Sequence, residues 1–337
     1  MQQGIPCNFG GVTVYKIRCV LKKQFDVDCT DITEIYGGLS AVNYRVEAKS
    51  RTFFLKTYDK KKAQASLWTE NIDSYMPILV WLNENTKLQG RIARPIKTNN
   101  GSYRFDDDDN VFLLFDFIEG QAAGETLTHT QLLEAAELIA CLHSYGDEIH
   151  ADGDEIHADM GKIKEDFSVP FCYSIMRFIR EDYQASPADL KTILRPFLDE
   201  LISKGNEVIS LSEKVKQKDT KLVLCHTDAH GWNIMQSKQL VLVDWEGMRL
   251  APAEADLIMF TKIDYWNIFI EQYSKLRPEF ILDNDILSFY IMRRKVEDIW
   301  AFIEGILHDN QSDGQRERDL HFLSRCCSSL NDPYFEL

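Results

Sequence analysis

Apolar and polar positions alternate along this chain with two periods, and the period changes from element to element. Over residues 12–26, Val14, Ile17, Val20, Leu21 and Phe25 recur at helical spacing. That spacing predicts a short helix. Val42, Tyr44 and Val46 then alternate with Asn43 and Arg45, the period-two pattern of a half-buried strand. Ala48-Lys49-Ser50 turns the chain, and Arg51-Thr52-Phe53-Phe54-Leu55-Lys56 returns it as a second strand. Residues 60–82 read as a helix that Pro77 kinks or restarts, because proline brings no N–H to the helical ladder. Residues 91–96 and 111–115 read as two more strands. Between them, Asn99-Asn100-Gly101 is a turn and Asp106-Asp107-Asp108-Asp109-Asn110 an acidic loop. The acidic loop lacks the alternating ligands, central glycine and terminal glutamate of an EF-hand, so a solvated turn is expected.

Further along, Thr128-x-x-Gln131 fits a capping box, and Leu132, Ala136, Ile139 and Leu142 form an apolar helical face. Residues 171–183 and 190–215 read as two helices. Residues 222–246 read as strand, loop, strand, turn, strand, with Gln236-Ser237-Lys238-Gln239 as the turn. Residues 260–273, 286–307 and 316–330 read as helices. One exact duplication stands out: Gly146–Asp152 is repeated as Gly153–Asp159. Two units of seven residues are too short and too few for a solenoid. The repeat, with His150 and His157, reads as an insertion in a surface loop.

At 337 residues the chain has room for one large or two modest domains. No apolar run approaches the roughly 18–20 residues a membrane span needs, so no membrane partner is expected. The N-terminus, MQQGIPCNFGG, lacks the basic-then-apolar layout of a signal peptide. The eight cysteines show no CxxC spacing and read as reduced thiols, so a cytoplasmic location is expected. Net charge is 38 − 53 = −15. That argues against a nucleic-acid partner, whose phosphates need a basic surface. It suits a cationic small substrate, because an acidic cleft concentrates cations. It also simply keeps a protein soluble.

The chemistry concentrates in Leu222–Glu246, LVLCHTDAHGWNIMQSKQLVLVDWE. Asp228 and Asn233 lie on one loop, and Asp244 closes the apolar run Leu240–Val243. Phosphoryl transfer uses such a set. One aspartate accepts or orients the proton of the attacking hydroxyl, while an amide oxygen and a second carboxylate hold Mg²⁺ on the nucleotide phosphates. Asp-x-x-x-x-Asn lets one tight loop aim both side chains at one site. His226 and His230 are four apart, as helical zinc ligands would be, but Thr227 stands where a zinc protease needs glutamate. His226 is expected to bond the loop backbone instead.

LCHTDAHGWNIM, then LVLVDWE, then LAPAEADL together resemble the aminoglycoside phosphotransferase family of kinase-like enzymes. The spectinomycin phosphotransferase branch is the most similar. The resemblance is strongest over residues 220–260 and implies a bilobal, protein-kinase-like α+β fold. A small β-rich nucleotide-binding lobe is expected over residues 1–116, and a larger, mostly helical catalytic and substrate-binding lobe over residues 117–337. It makes Asp228 the catalytic base and Asn233 and Asp244 the Mg²⁺ ligands. It has Asp256 accept hydrogen bonds from the catalytic-loop backbone and makes His143 structural. The order glycine turn (Tyr36-Gly37-Gly38-Leu39-Ser40), strand, turn, strand with lysine resembles the kinase nucleotide-binding lobe. That places Lys56 on the ATP phosphates, with Ser40 contributing a hydroxyl. Glu70 is expected to hold Lys56 by an ion pair, with Asp73 as runner-up. Phe115 and Phe117, in the segment that would cross between lobes, are the candidate adenine contacts. Glu181, Asp182 and the acids of Val296-Glu297-Asp298-Ile299 are candidate contacts for a cation.

The expected activity is transfer of the ATP γ-phosphoryl, with Mg²⁺, to a hydroxyl of an aminoglycoside-type antibiotic, by a monomer or homodimer. A metabolite kinase acting on choline, ethanolamine, homoserine or a sugar is the main rival. A nucleotide-binding pseudoenzyme would leave the set Lys56, Asp228, Asn233 and Asp244 unexplained. Protein-kinase activity is not expected, since no arginine precedes Asp228 and neither Asp-Phe-Gly nor Ala-Pro-Glu occurs.

Overall fold

The computed structural model describes residues 8–9, 12–38, 40–146, 149, 156, 158–309 and 311–335. His150 and His157 of the duplication lie outside the described residues. The chain groups into two compact units. The first is Met1–Ala123, Ile149–Ile163 and Trp232–Gly247, and the second is Gly124–Glu148, Lys164–Gly231 and Met248–Leu337.

The first unit is built on a six-stranded antiparallel sheet. Its order is Cys29–Ile35, Val42–Ala48, Thr52–Asp59, Asn110–Asp116, Pro95–Ile96, with Arg104–Asp106 also pairing Asn110–Asp116. The helix Val14–Phe25 has the predicted apolar stripe. Thr13 caps it by accepting the Lys16 N–H at 3.2 Å, and Asp26 ends it at φ 51°. Ile17, Leu21 and Phe25 join Tyr44, Val46, Leu55, Phe112 and Leu114 in one buried cluster. Cys29–Ile35 is an edge strand, and its residues Thr30, Asp31, Thr33 and Glu34 hide its strand character in the sequence. The acidic loop is a turn bound by cations. Asp106 pairs with Arg104 and Lys60, Asp107 with Lys16, and Asp109 with Lys61.

The predicted helix over 60–82 is in fact two, Ala65–Thr69 and Ile72–Asn85. The break comes before Ile72, and the second helix runs straight through Pro77. An interior proline costs about 3 kcal/mol. Ile72, Tyr75, Met76, Ile78, Leu79 and Leu82 are buried on this helix, each worth about 1.5–3 kcal/mol, so packing outweighs the lost bond.

A hairpin completes this unit. Ile234–Gln236 pairs antiparallel with Leu240–Leu242, and Gln121–Ala122 flanks it. Gly120 is required there: at φ 153° its Cβ would stand 2.3 Å from the Gln236 carbonyl oxygen.

The second unit is mostly helical. Its long helix Asn284–His308 packs on Leu198–Lys216, Asp313–Ser328 and Pro170–Glu181. Ala188–Leu194 and Leu198–Lys216 stand where one helix was predicted. A 3₁₀ turn at Arg195–Phe197 separates them, with Pro196 in it. His129–Ser144 carries the predicted capping box from Thr128 and Gln131. The strands Val223–Cys225 and Arg249–Ala251 pair antiparallel. No described helix is long and apolar enough to cross a membrane.

Pro77→Ala is expected to raise the thermal unfolding midpoint, with a net gain of about 1–2 kcal/mol once the unfolded chain's extra freedom is subtracted. A lower midpoint would mean that the proline-shaped helix itself stabilises the packing.

Candidate active site

In the first unit the hairpin delivers two of the predicted residues to one end. Val243 N–H donates to the Asn233 carbonyl at 3.0 Å, one step beyond the Ile234↔Leu242 pair. Asn233 and Asp244 therefore stand at the same end of the hairpin. Asn233 is buried. Asp244 sits at φ 65°, outside the strand region. A non-glycine residue held there costs about 1–3 kcal/mol and is retained where surrounding contacts fix it.

The fixing contact is Lys56. Its Nζ lies 3.0 Å from Asp244 Oδ1 and also donates to Glu246 Oε1. Tyr58, two residues along the same strand, donates its hydroxyl to the same Glu246 oxygen. Lys56 is 3% exposed. Burial works to lower its pKa, but the Asp244 and Glu246 carboxylates outweigh it and hold Lys56 above the usual lysine value. Tyr58 is pushed well up, first by burial and then by Glu246.

This corrects the expected partner of Lys56. Its carboxylates are Asp244 and Glu246, not Glu70 or Asp73. Glu70 is the exposed C-cap of Ala65–Thr69, and Asp73 is exposed in the first turn of the next helix. The helix break before Ile72 sets where both acids fall. Glu246 had no predicted role, though it lies two residues after Asp244 in the same motif.

The other predicted nucleotide contacts are spread along the first unit. Gly37 and Gly38 have φ 129° and 82°, so the predicted glycine turn is a real left-handed bend, and Ser40 follows it half-buried. Phe115 is buried in the sheet, and Phe117 lies under Arg45, whose guanidinium is 4.6 Å from its ring centroid. The Asp116 and Phe117 N–H groups already donate to the Arg94 and Thr52 carbonyls.

In the second unit the loop after Val223–Cys225 carries Asp228. Its geometry is imposed by Asp256, which is fully buried. Asp256 Oδ2 accepts the His226 N–H at 3.0 Å, and Oδ1 accepts the Thr227 N–H. Thr227, a β-branched residue, sits at φ 67°, a conformation such residues rarely adopt. His143 completes the support, with Nε2 2.9 Å from Asp256 Oδ2 and Nδ1 2.7 Å from the Tyr273 hydroxyl. His143, Cys225 and Asp256 also bring three possible metal-ligand atoms within 4.8 Å of one another. Both ring nitrogens of His143 are already committed, so this trio reads as scaffold. His226 bonds the loop backbone, as expected: its Nδ1 accepts the Asp228 N–H at 3.2 Å. Gly231 must be glycine, since a Cβ would stand 2.1 Å from the Gly124 carbonyl oxygen.

Asp228 is half-buried, with Arg294 Nη1 2.9 Å and His230 Nε2 3.5 Å from its Oδ1. Burial pushes its pKa up, but Arg294, then His230 and His226, outweigh that and hold the carboxyl well below the usual range. Arg294 has no sequence signal, because Arg293 beside it is indistinguishable by pattern. Of the other predicted acids, Glu297 lies 3.6 Å from Arg293 Nε, Asp298 pairs with Arg294, and Glu181 and Asp182 are exposed.

A model of the phosphotransferase enzyme family matches residues 31–282. No curated protein sequence matches the chain. Among solved structures, a spectinomycin phosphotransferase in complex with ADP and spectinomycin aligns at TM-score 0.69 and 20% identity, covering 94% of this chain and 98% of that one. A choline kinase from Streptococcus pneumoniae aligns at TM-score 0.59 and 14% identity, covering 93% and 98%. A microcompartment-associated aminopropanol kinase aligns at TM-score 0.58 and 12% identity, covering 94% and 96%. These likenesses show a kinase-like fold, with an antiparallel β-sheet N-terminal region and a mostly helical remainder, as expected.

Asp256→Asn removes the negative charge and one of the two acceptor oxygens that hold the His226 and Thr227 amides. Hydrogen bonds to charged groups contribute about 1.5–3 kcal/mol each, so exchange of those two amides should quicken by about 10- to 100-fold. Unchanged protection, read by NMR or mass spectrometry, would mean that Asp256 does not set the loop.

Proposed function

The chain belongs to the phosphotransferase enzyme family, and from that membership we propose that it transfers the γ-phosphoryl of ATP to a hydroxyl of a spectinomycin- or aminoglycoside-type antibiotic. The acceptor oxygen forms a bond to the γ-phosphorus, the bond to the β–γ bridging oxygen breaks, and ADP leaves. The acceptor's proton passes to Asp228. Phosphoryl transfer of this kind relies on positioning and charge stabilisation more than on covalent chemistry.

The observation that carries this reading is the buried Lys56 in contact with Asp244, on the hairpin end that also presents Asn233. Lys56 holds the nucleotide phosphates, and Glu246 keeps it in place. Ser40 and the glycine turn before it close on the same phosphates, while Phe115, Phe117 and the backbone after them meet the adenine. The Asn233 amide oxygen and the Asp244 carboxylate are hard oxygen donors, which suit Mg²⁺. Bound there, Mg²⁺ would supply charge neutralisation at the phosphate oxygens. The catalytic and acceptor-binding part is proposed for the helical C-terminal portion, with Asp228 as base.

The acceptor class is supported by the alignment with the spectinomycin phosphotransferase, the highest in TM-score of the three compared above. The acidity of the chain, net −15, favours a cationic acceptor. A metabolite amino alcohol is the second reading, favoured by the choline and aminopropanol kinases at TM-scores 0.59 and 0.58.

The test is coupled ADP release with Mg-ATP against spectinomycin, kanamycin- and streptomycin-type aminoglycosides, choline, aminopropanol and homoserine. Turnover of an antibiotic alone supports the first reading, and turnover of an amino alcohol alone moves the enzyme to the second. Asp228→Asn should lower kcat by about 10²–10⁴-fold and leave the Mg-ATP dissociation constant within about threefold. Asp244→Ala should abolish the Mg²⁺-dependence of nucleotide binding, measured by calorimetry. Near-normal turnover by Asp228→Asn would remove Asp228 from the role of base.

A further inference from the structure

Asp228 is held by more than its own loop. Arg294, on the helix Asn284–His308, places Nη1 2.9 Å from Asp228 Oδ1. Its Nε donates to Asp298 Oδ1 and Oδ2 at 2.9 and 3.0 Å. Arg294 and Asp298 are one helical turn apart, the spacing at which side chains on one face meet. The Phe335 ring lies over the guanidinium, 5.7 Å from its centroid. Phe335 is itself buried, and its N–H donates to Thr261 Oγ1 at 3.0 Å. Arg294 and Asp298 side chains are 24% and 20% exposed. An exposed ion pair swings freely and contributes little. This one is gripped on both sides and covered.

We propose that Arg294 is a positioning residue for Asp228: braced by Asp298 and covered by Phe335, it fixes the direction of the Asp228 carboxylate and holds a positive charge against it until the acceptor hydroxyl arrives. The proposal rests on the reading of Asp228 as the proton acceptor. A carboxylate this close to a guanidinium is a weak base. That suits a loose phosphoryl-transfer transition state, in which the proton leaves late and orientation matters more than basicity.

The charged surroundings agree. From the loop, His226 and His230 face Asp228, and from the helix come Arg294, Glu297 and Asp298. Cys326 of Asp313–Ser328 faces both Arg294 and Asp298, and Arg325 lies beside Cys326. Burial, opposed by Arg294, pushes the Asp298 carboxyl up to about 6.

The test is a carboxyl ¹³C NMR titration of aspartate-labelled full-length protein, with the Asp228 signal identified by its loss in Asp228→Asn. In the native protein the signal should show no protonation between about pH 4 and 8. In Arg294→Met its midpoint should rise by at least about one pH unit, since an opposite charge at this distance lowers an aspartate by about 1–3 units. Arg294→Lys keeps the charge but loses the fork that spans Asp228 and Asp298, so it should restore only part of that shift. If the methionine variant does not fold, Arg294→Gln answers the same question with a shorter, uncharged side chain. A midpoint that moves by less than about 0.3 unit in the folded neutral variant would overturn the proposal. The titration needs no acceptor. Its failure is therefore distinct from failure of the base assignment, which Asp228→Asn kinetics decide.

Discussion

A lysine ammonium 3% exposed is untenable without anionic partners, and that constraint organises the first unit. The strand Thr52–Asp59 carries Lys56 inward, and the hairpin through Asn233–Asp244 brings the carboxylates to it. Asp244 adopts a left-handed backbone, and Glu246 takes a lysine and a tyrosine on one oxygen. The same end of the hairpin then presents Asn233 and Asp244 together. Electrostatic satisfaction of one buried cation thus assembles the residues proposed above for phosphate and metal binding.

The second unit solves a backbone problem with the same means. Asp256 takes the N–H groups of His226 and Thr227 on its two oxygens, and His143 and Tyr273 hold Asp256. Charge-assisted bonds of this kind are strong enough to hold a β-branched residue at positive φ. Asp228 follows directly from that forced turn. Two residues at positive φ, Thr227 and Asp244, each sit beside a carboxylate network. Strain placed there gives a fixed direction to side chains that would otherwise sample several rotamers.

The side chains around Asp228 and Lys56 are nearly mirror arrangements of charge. Lys56 is a cation between two carboxylates, Asp244 and Glu246. Arg294 is a cation between two carboxylates, Asp228 and Asp298. In both, one acid has a proposed chemical role and the other braces the cation. A bracing acid lets the cation keep its place when its partner turns to a ligand, because the cation is never left wholly unpaired.

The sequence by itself determined the periodic elements, the Thr128–Gln131 cap, and Asp228, Asn233 and Asp244 as the residues of interest. Each of these signals is local: apolar spacing, a turn, a loop of fixed length. It also showed Lys56 as a strand lysine behind a glycine turn. It did not show which acid meets Lys56, and Glu70 was the wrong choice because Glu246 approaches from 190 residues away. It placed the helix break at Pro77, where packing of the buried face overrides proline's local preference. It read no strand at Cys29–Ile35, because an edge strand buries little and its polar residues carry no alternation. It was silent on Arg294, which gains meaning only where the helix Asn284–His308 passes the loop carrying Asp228. Local pattern is set by steric and solvent preferences of neighbouring residues. The partners of a buried charge are set by which distant segments the fold brings within about 4 Å, the separation at which charged groups form an ion pair.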